Sequence, residues 1–171
     1  MTEKLVNFFV KLFGGNKNSE IGKIAIIAVL SMLPVIELRG GLIAAALLNL
    51  DGILSFVICY IFNLLPIPFI LLLINWIFKL FRKSKHLGKL VIKMENKVEK
   101  KKGQIEKYGY WGLFLFVAIP LPGTGAWTGA LIAAVLGMSR KKSFLTIALG
   151  VLAAGIIMMI LSFGLLKGII G

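Results

Sequence analysis

The fold is decided by the stretch Pro34-Val-Ile-Glu37-Leu-Arg39-Gly40-Gly41 and by a second one, Pro120-Leu-Pro122-Gly123-Thr124-Gly125-Ala126-Trp127-Thr128-Gly129. Each interrupts a run of apolar residues that otherwise suits a lipid bilayer. Because unpaired backbone groups in hydrocarbon cost several kcal/mol each, a broken helix persists there only where it lines a cavity or contacts other protein elements. The two breaks therefore predict a membrane protein whose functional site lies at the breaks.

Composition supports an integral membrane protein with one structural domain. The chain has 171 residues, of which 58% are hydrophobic, and a mean hydropathy of +0.94. Its net charge of +13 comes from lysines and arginines that flank apolar runs. This placement predicts membrane lipids with anionic headgroups as partners and argues against nucleic acid. The single cysteine, Cys59, lies in an apolar stretch, which predicts a small buried residue and no disulfide.

The apolar runs divide the chain into six segments of three kinds. Two are long enough to cross a bilayer, two are broken near the middle, and two are amphipathic and suit the membrane surface. Half of a broken segment, such as residues 24–33, rises only about 15 Å as a helix, which is half the hydrocarbon thickness. The predicted segments are an interfacial helix (3–13), a broken hairpin (22–50), a span (53–78), a basic amphipathic cytoplasmic segment (79–107), a second broken hairpin (110–138) and a second span (143–166).

The segment order repeats. Pro34 and Pro120 are 86 residues apart, and the same offset takes the start of the first span, Ile53, to Ser139, just before the second span. Broken segments at matching positions of two halves are typical of transporters with a site near the midplane. The predicted fold is therefore all-α, with two repeats that each contain a re-entrant helical hairpin and one transmembrane helix.

Two topologies remain open for the broken segments, which either cross the membrane or enter and leave on one side. If they re-enter, residues 79–107 and 140–142 share one side and place 14 of the 20 basic residues there. The positive-inside rule favours that arrangement, although Lys4, Lys11, Lys17 and Lys23 then lie outside.

Glu37 and Arg39 are charged residues within the first break. Ionisable side chains at membrane depth are expensive and mark functional sites. In one interpretation they pair with each other on an extended turn and stabilise the hairpin tip. In the other, Arg39 binds an anionic headgroup through its planar guanidinium, and Glu37 exchanges a proton, because desolvation raises the pKa of a carboxylic acid. Asp51 is a second candidate for proton coupling, although its position before Gly52 favours a helix cap.

The glycines at both breaks predict an anion site. Gly40 and Gly41 open the second half of the first hairpin, and Gly123, Thr124 and Gly125 do so in the second, with Thr124 as a cap. Two half-helix N-termini pointing at the midplane favour an anion. The predicted site also takes in Pro120, Pro122, Trp127 and Thr128, and Trp127 fits a packing role equally well. Small residues at four-residue spacing indicate close helix packing: Gly125, Gly129, Ala133 and Gly137.

The two quoted motifs resemble the paired signatures of the putative small multi-drug export protein family, which is similar, more distantly, to the DedA/VTT superfamily. The resemblance covers the chain from about Gly22 onward. It implies a multi-pass protein of the bacterial or archaeal inner membrane with two opposed re-entrant hairpins. In the DedA relatives the implied activity is movement of lipids, notably polyprenyl phosphate carriers, or proton-linked drug tolerance.

Three hypotheses of function follow. The first is translocation of a lipid phosphate such as undecaprenyl phosphate, held at the hairpin tips by Arg39 and the half-helix N-termini. The second is proton-coupled export of cationic amphiphiles through Glu37, and the third is a membrane scaffold that does not transport. The sequence contains no pattern typical of an enzyme, a metal site or a bound cofactor. Because two spans and two hairpins provide little wall around a pathway, a homodimer is expected.

Overall fold

The computed structural model describes residues 19–73, 108–121 and 123–165. Two predicted segments, the interfacial helix at 3–13 and the basic segment at 79–107, lie outside this part of the chain. So do residues 74–78 and 166 at the ends of the predicted spans, and Pro122 in the second break.

The described residues form six helices and no strand, which confirms the all-helical fold. At 22 and 25 residues, two of them are long and apolar enough to cross a bilayer, and the other four have only 10 to 13 residues. The helices are α1 (Glu20–Met32), α2 (Glu37–Leu47), α3 (Gly52–Leu73), α4 (Tyr108–Ala118), α5 (Ala126–Val135) and α6 (Arg140–Gly164).

The two long helices are not regular throughout. A turn at residues 65–66 interrupts α3, where Pro66 lacks the N–H that a helix needs. The α-helical part of α6 ends at Met159, and the chain continues as a π-helix over Ile160–Leu165. Such π-helical turns are rare and occur often at functional sites.

The chain divides into two compact units. The first contains α1, α2, the part of α3 up to Leu65 and the part of α6 from Ala154 onward. The second contains the remainder of α3, then α4, α5 and the first part of α6.

In the first unit, α1 and α2 form a closed antiparallel hairpin. Ser19 caps the start of α1, where its hydroxyl accepts the N–H of Gly22 at 3.1 Å. One turn later, Lys23 Nζ donates a 2.9 Å hydrogen bond to the carbonyl of Leu48 at the end of α2. A lysine there both bonds an unpaired carbonyl and opposes the helix dipole. The two open ends of the hairpin are therefore held side by side.

The second unit closes the hairpin of α4 and α5 in a similar place. The N–H of Ser139, after the end of α5, donates to the hydroxyl of Tyr110 in the first turn of α4 at 3.2 Å. Lys142 Nζ lies 6.0 Å from the centre of the same tyrosine ring, within reach of a cation–π interaction. In each hairpin, the start of the first helix and the end of the second helix therefore lie side by side.

Helices α2 and α5 end in the same Schellman motif, with a residue of positive φ after the last turn. That residue is Asn49 (φ 54°) after α2 and Gly137 (φ 65°) after α5. Gly137 therefore ends its helix, and the predicted small-residue ridge stops at Ala133. The motif's hydrogen bonds run from Asn49 to Ala46, Leu50 to Ala45, Gly137 to Ala134 and Met138 to Ala133.

The two hairpins also pack around corresponding glycines. A β-carbon at Gly41 would meet Ser31 and Cys59, and one at Gly129 would meet Val117, with Ile147 next to it. Val117 follows Ser31 by 86 residues, whereas Gly129 and Ile147 follow Gly41 and Cys59 by 88. The offset read from the two prolines therefore holds up to the break, and the second break is two residues longer than the first.

Candidate functional site

The first break is a tight turn that hydrogen-bonds to itself. Leu33 takes an extended conformation (φ −75°, ψ 137°), as expected for a residue before proline. Its N–H bonds to the Leu30 carbonyl at 3.2 Å, and its own carbonyl accepts the N–H of Glu37 at 2.9 Å. Pro34 is exposed at the outer side of this turn. The turn delivers the chain directly into α2 at Glu37.

Glu37 is buried and holds an unusual backbone conformation. Its side chain is only 6% exposed, and its φ is 52°, a region that residues with a β-carbon rarely adopt. As the first residue of α2, its carboxylate lies at the positive end of the helix dipole. Burial of the carboxyl group costs free energy, and so does the left-handed backbone. Together the two costs point to a functional role.

Arg39 lies in the same helical turn as Glu37 and is partly buried. The two charges interact electrostatically. The expectation of an extended turn is wrong, because both residues belong to the first turn of α2. Pairing of the two side chains as a structural ion pair stays a prediction.

Gly41 is the point where three helices of the first unit meet. The space that its β-carbon would fill is taken by the side chains of Ser31 from α1 and Cys59 from α3. Gly40 is similarly close to Ile36 in the preceding turn. These glycines were expected to open the half-helix, but α2 begins three residues earlier at Glu37. Gly41 serves instead to bring the helices into close contact.

A buried polar cluster lies beside Gly41 and was missed in the sequence. The Ser31 hydroxyl donates to the Ile27 carbonyl at 2.7 Å, and the Cys59 thiol interacts with the same hydroxyl. Asn63 Nδ2 donates to the Ser31 carbonyl at 3.0 Å. The sequence signal is the four-residue spacing of Ser55, Cys59 and Asn63, which places all three on one face of α3. Cys59 is fully buried, as predicted, but its surroundings are polar.

Two atoms of this face are buried without a hydrogen-bond partner, namely Ser55 Oγ and Asn63 Oδ1. Both side chains are only 1% exposed. Buried polar atoms nearly always find a partner, so such exceptions call for an explanation.

Asp51 caps α3. Its Oδ1 accepts the N–H of Leu54 at 2.8 Å, and its side chain is exposed. This is the helix-cap geometry expected from the residue before Gly52. Proton coupling through Asp51 stays a prediction.

The second break is organised by Thr124. Its hydroxyl oxygen lies 2.8 Å from the carbonyl oxygens of both Ile119 and Leu121, to which its single proton can be donated. It also accepts the N–H of Leu121 at 3.3 Å. The prediction that Thr124 caps α5 is wrong, because the N-cap is Gly125, which has no side chain to bond with. The hydroxyl bonds instead to two carbonyls that follow the end of α4.

The remaining residues of the second break differ in exposure. Gly123 is exposed with a φ of 80°, and Gly125 is buried with a φ of 132°, so both need the freedom of glycine. Pro120 before them, and Trp127 and Thr128 in the first turn of α5, are partly buried. The two breaks belong to different units, and an anion site shared between them stays a prediction. Within residues 19–73, 108–121 and 123–165, no three His, Cys, Asp or Glu side chains group as metal ligands would.

Comparison with known proteins gives one match. A family model described as "Putative small multi-drug export protein" matches residues 37–157. The match begins at Glu37 and takes in Arg39, the polar face of α3 and the whole second hairpin. No curated protein and no solved structure matches the chain.

Proposed function

Since this chain belongs to the putative small multi-drug export protein family, we propose that it is a membrane transporter that exports small cationic amphiphiles in exchange for protons. Glu37 is the group that binds the proton. The observation that carries this proposal is the burial of its carboxyl group at the break of the first hairpin. A carboxyl group in such a place can bind a proton or release it as its surroundings change.

The membrane arrangement belongs to the same proposal. Helices α3 and α6 cross the bilayer, and the two hairpins re-enter from opposite faces as an inverted repeat. Their half-length helices and joined ends support this topology. The positive-inside rule favours the cytoplasm for the Arg140–Lys142 side, and the inner membrane is part of the same proposal. A homodimer would complete the wall of the pathway.

A second candidate function is translocation of a lipid phosphate, and Arg39 favours it. A partly buried guanidinium in the first turn of α2 adds its charge to the positive end of the helix dipole. Its planar fork suits two phosphate oxygens. The family description, in contrast, refers to drug export. Charge separates the two functions, because a central arginine attracts a phosphate and repels a cation.

Transport by Arg39 variants in proteoliposomes tests this difference. The substrates are tetraphenylphosphonium, a lipophilic cation, and labelled undecaprenyl phosphate. For a cation exporter, Arg39→Gln should still transport tetraphenylphosphonium, with a pH dependence shifted upward because the Glu37 carboxylate loses the charge that it interacts with, and undecaprenyl phosphate should not move in any variant. For a phosphate carrier, Arg39→Lys should reduce lipid transport and Arg39→Gln should nearly abolish it, because the helix N-terminus supplies only a partial charge.

The substrate that the wild type transports decides between a cation exporter and a phosphate carrier. Export of cations is refuted if the wild type moves the lipid phosphate but not tetraphenylphosphonium, and transport itself is refuted if it moves neither.

A further inference from the structure

The first unit buries polar groups at positions where the second unit has only apolar ones. Val117, Ile147 and Val151 correspond, at the offsets of 86 and 88 residues, to Ser31, Cys59 and Asn63. All three residues of the second unit are at most 3% exposed. Ser55 has a polar counterpart in Ser143, which is also buried. At the other three positions the second unit packs with apolar side chains, so packing alone does not require polar groups there. Buried polar groups are costly where they do nothing else.

Asn63 has a hydrogen-bond acceptor that is not in use. Its Nδ2 donates to the Ser31 carbonyl at 3.0 Å, and this bond fixes which way the amide is turned. The other end of the amide, Oδ1, is buried without a partner, on a side chain only 1% exposed. Such an acceptor suits a donor group that exists in only one protonation state of the protein.

The packing of α2 against α3 brings Asn63 and Glu37 to the same end of the hairpin. Gly41 and Cys59 mark where the two antiparallel helices touch. Glu37 precedes Gly41 by one turn on the same buried face of α2, and Asn63 follows Cys59 by one turn on the buried face of α3. Both therefore lie one turn from the contact, in the direction of the break.

We propose that Asn63 accepts a hydrogen bond from the protonated carboxyl group of Glu37, so that these two side chains form the proton-binding site of the first hairpin. This inference rests on the proposed function, and it identifies Asn63 as the partner of Glu37, the group that carries the proton. The carboxylate takes a proton from a hydronium ion in water on one side of the membrane, and the new O–H donates to Asn63 Oδ1. On release, the proton returns to water on the other side.

The charged state of the site has a different partner. With the proton gone, the Glu37 carboxylate is balanced by the guanidinium of Arg39. Arg39 thus stabilises one protonation state of Glu37 and Asn63 stabilises the other. A carboxylate and one amide oxygen hold a proton well, but they supply few of the oxygen ligands that a dehydrated metal ion needs.

The other titratable groups around Glu37 are few. On α1 they are Glu20 and Lys23, which lie at the open end of the hairpin. On α3 they are Cys59 and Tyr60, together with Asp51 at its exposed start. The part of α6 in this unit, residues 154–165, contains no charged residue.

Infrared titration of the full-length protein in detergent tests the inference without any substrate. The carboxyl C=O band of Glu37 is identified by its loss in Glu37→Gln. In Asn63→Val, which introduces the residue of the second unit, the neutral carboxyl group loses its hydrogen bond. Its C=O band should move to higher frequency, and its pH midpoint should fall by about one unit, as the loss of one hydrogen bond implies.

Ser55→Ala is the matched control, because it removes an unpartnered hydroxyl two turns away on the same helix face. It should leave the midpoint unchanged. If Asn63→Val does not fold, Asn63→Gln retains both amide groups but moves the oxygen by one methylene, and a smaller fall is expected. An unchanged midpoint in the folded variant overturns the inference, as does a midpoint that falls when sodium chloride replaces choline chloride.

The inference and the proposed function can fail separately. If Glu37→Gln abolishes transport but Asn63→Val leaves the midpoint unchanged, the function stands and the role of Asn63 is wrong. If Asn63→Val shifts the midpoint but the wild type transports nothing, the proton site stands and the exporter is wrong.

Discussion

Glu37 occupies a backbone position that suits glycine. Its φ is 52°, and the residue 88 positions later in the second hairpin is Gly125, with a φ of 132°. A left-handed conformation costs a residue with a β-carbon roughly 1–2 kcal/mol. A glutamate is therefore present in spite of the backbone, which is consistent with a side chain selected for its carboxyl group.

Comparing glycine with alanine at this position tests the strain. Both substitutions remove the carboxyl group, but only glycine relieves the backbone, so Glu37→Gly should be more stable than Glu37→Ala by about 1 kcal/mol. Arg39 is the control, because it lies in a regular helix where glycine is less stable than alanine by a similar amount. Thermal unfolding in detergent measures all four variants. The same order at both positions would show that Glu37 is not strained.

The hairpins are the elements on which the membrane arrangement depends. If both re-enter, cysteines at Ile21 and Asn49, which flank the first hairpin and are exposed, should react with an impermeant maleimide from one side of the membrane. Cysteines at Tyr108 and Gly137, which flank the second, should react from the other side. A Cys59→Ala background removes the only native thiol. Reaction of Ile21→Cys and Asn49→Cys from opposite sides would contradict the re-entrant hairpin.

The sequence predicts the elements better than it predicts their contacts. Proline, glycine and half-length apolar runs locate both breaks, because these residues restrict the local backbone directly. The role of Thr124 is wrongly predicted, because its hydroxyl bonds to the carbonyls of Ile119 and Leu121 and not to the start of α5.

The polar face of α3 shows why the candidate site is only partly predictable. Ser55, Cys59 and Asn63 are scattered within a strongly apolar run, and only the packing shows that they face inward. The motif at the first break likewise predicts that Gly41 belongs to the site. Its neighbours Ser31 and Cys59, however, come from other parts of the sequence and are known only from the packing. Charged residues are conspicuous in such a chain, whereas uncharged polar residues become informative once their partners are known.

At the scale of the whole molecule, the two halves are alike in construction and different in chemistry. Both close their hairpins, pack around a glycine and end the second helix in a Schellman motif. The first has a buried carboxyl group and a polar cluster, whereas the corresponding positions of the second are glycine and apolar residues. This difference supports the proposed proton binding in the first unit. Transport in exchange for protons then requires that this one unit couple to the movement of the substrate.

The measurement that tests the central claim most directly is proton movement caused by the substrate. Proteoliposomes contain a trapped pH-sensitive dye, and tetraphenylphosphonium is added outside. An exchanger should release protons from the vesicle as the cation enters, and Glu37→Gln should abolish this release while the folded protein still binds the cation. Glu20→Gln, which removes an exposed carboxyl group at the start of α1, is the control and should behave like the wild type. Proton release by Glu37→Gln at the wild-type rate would contradict the account.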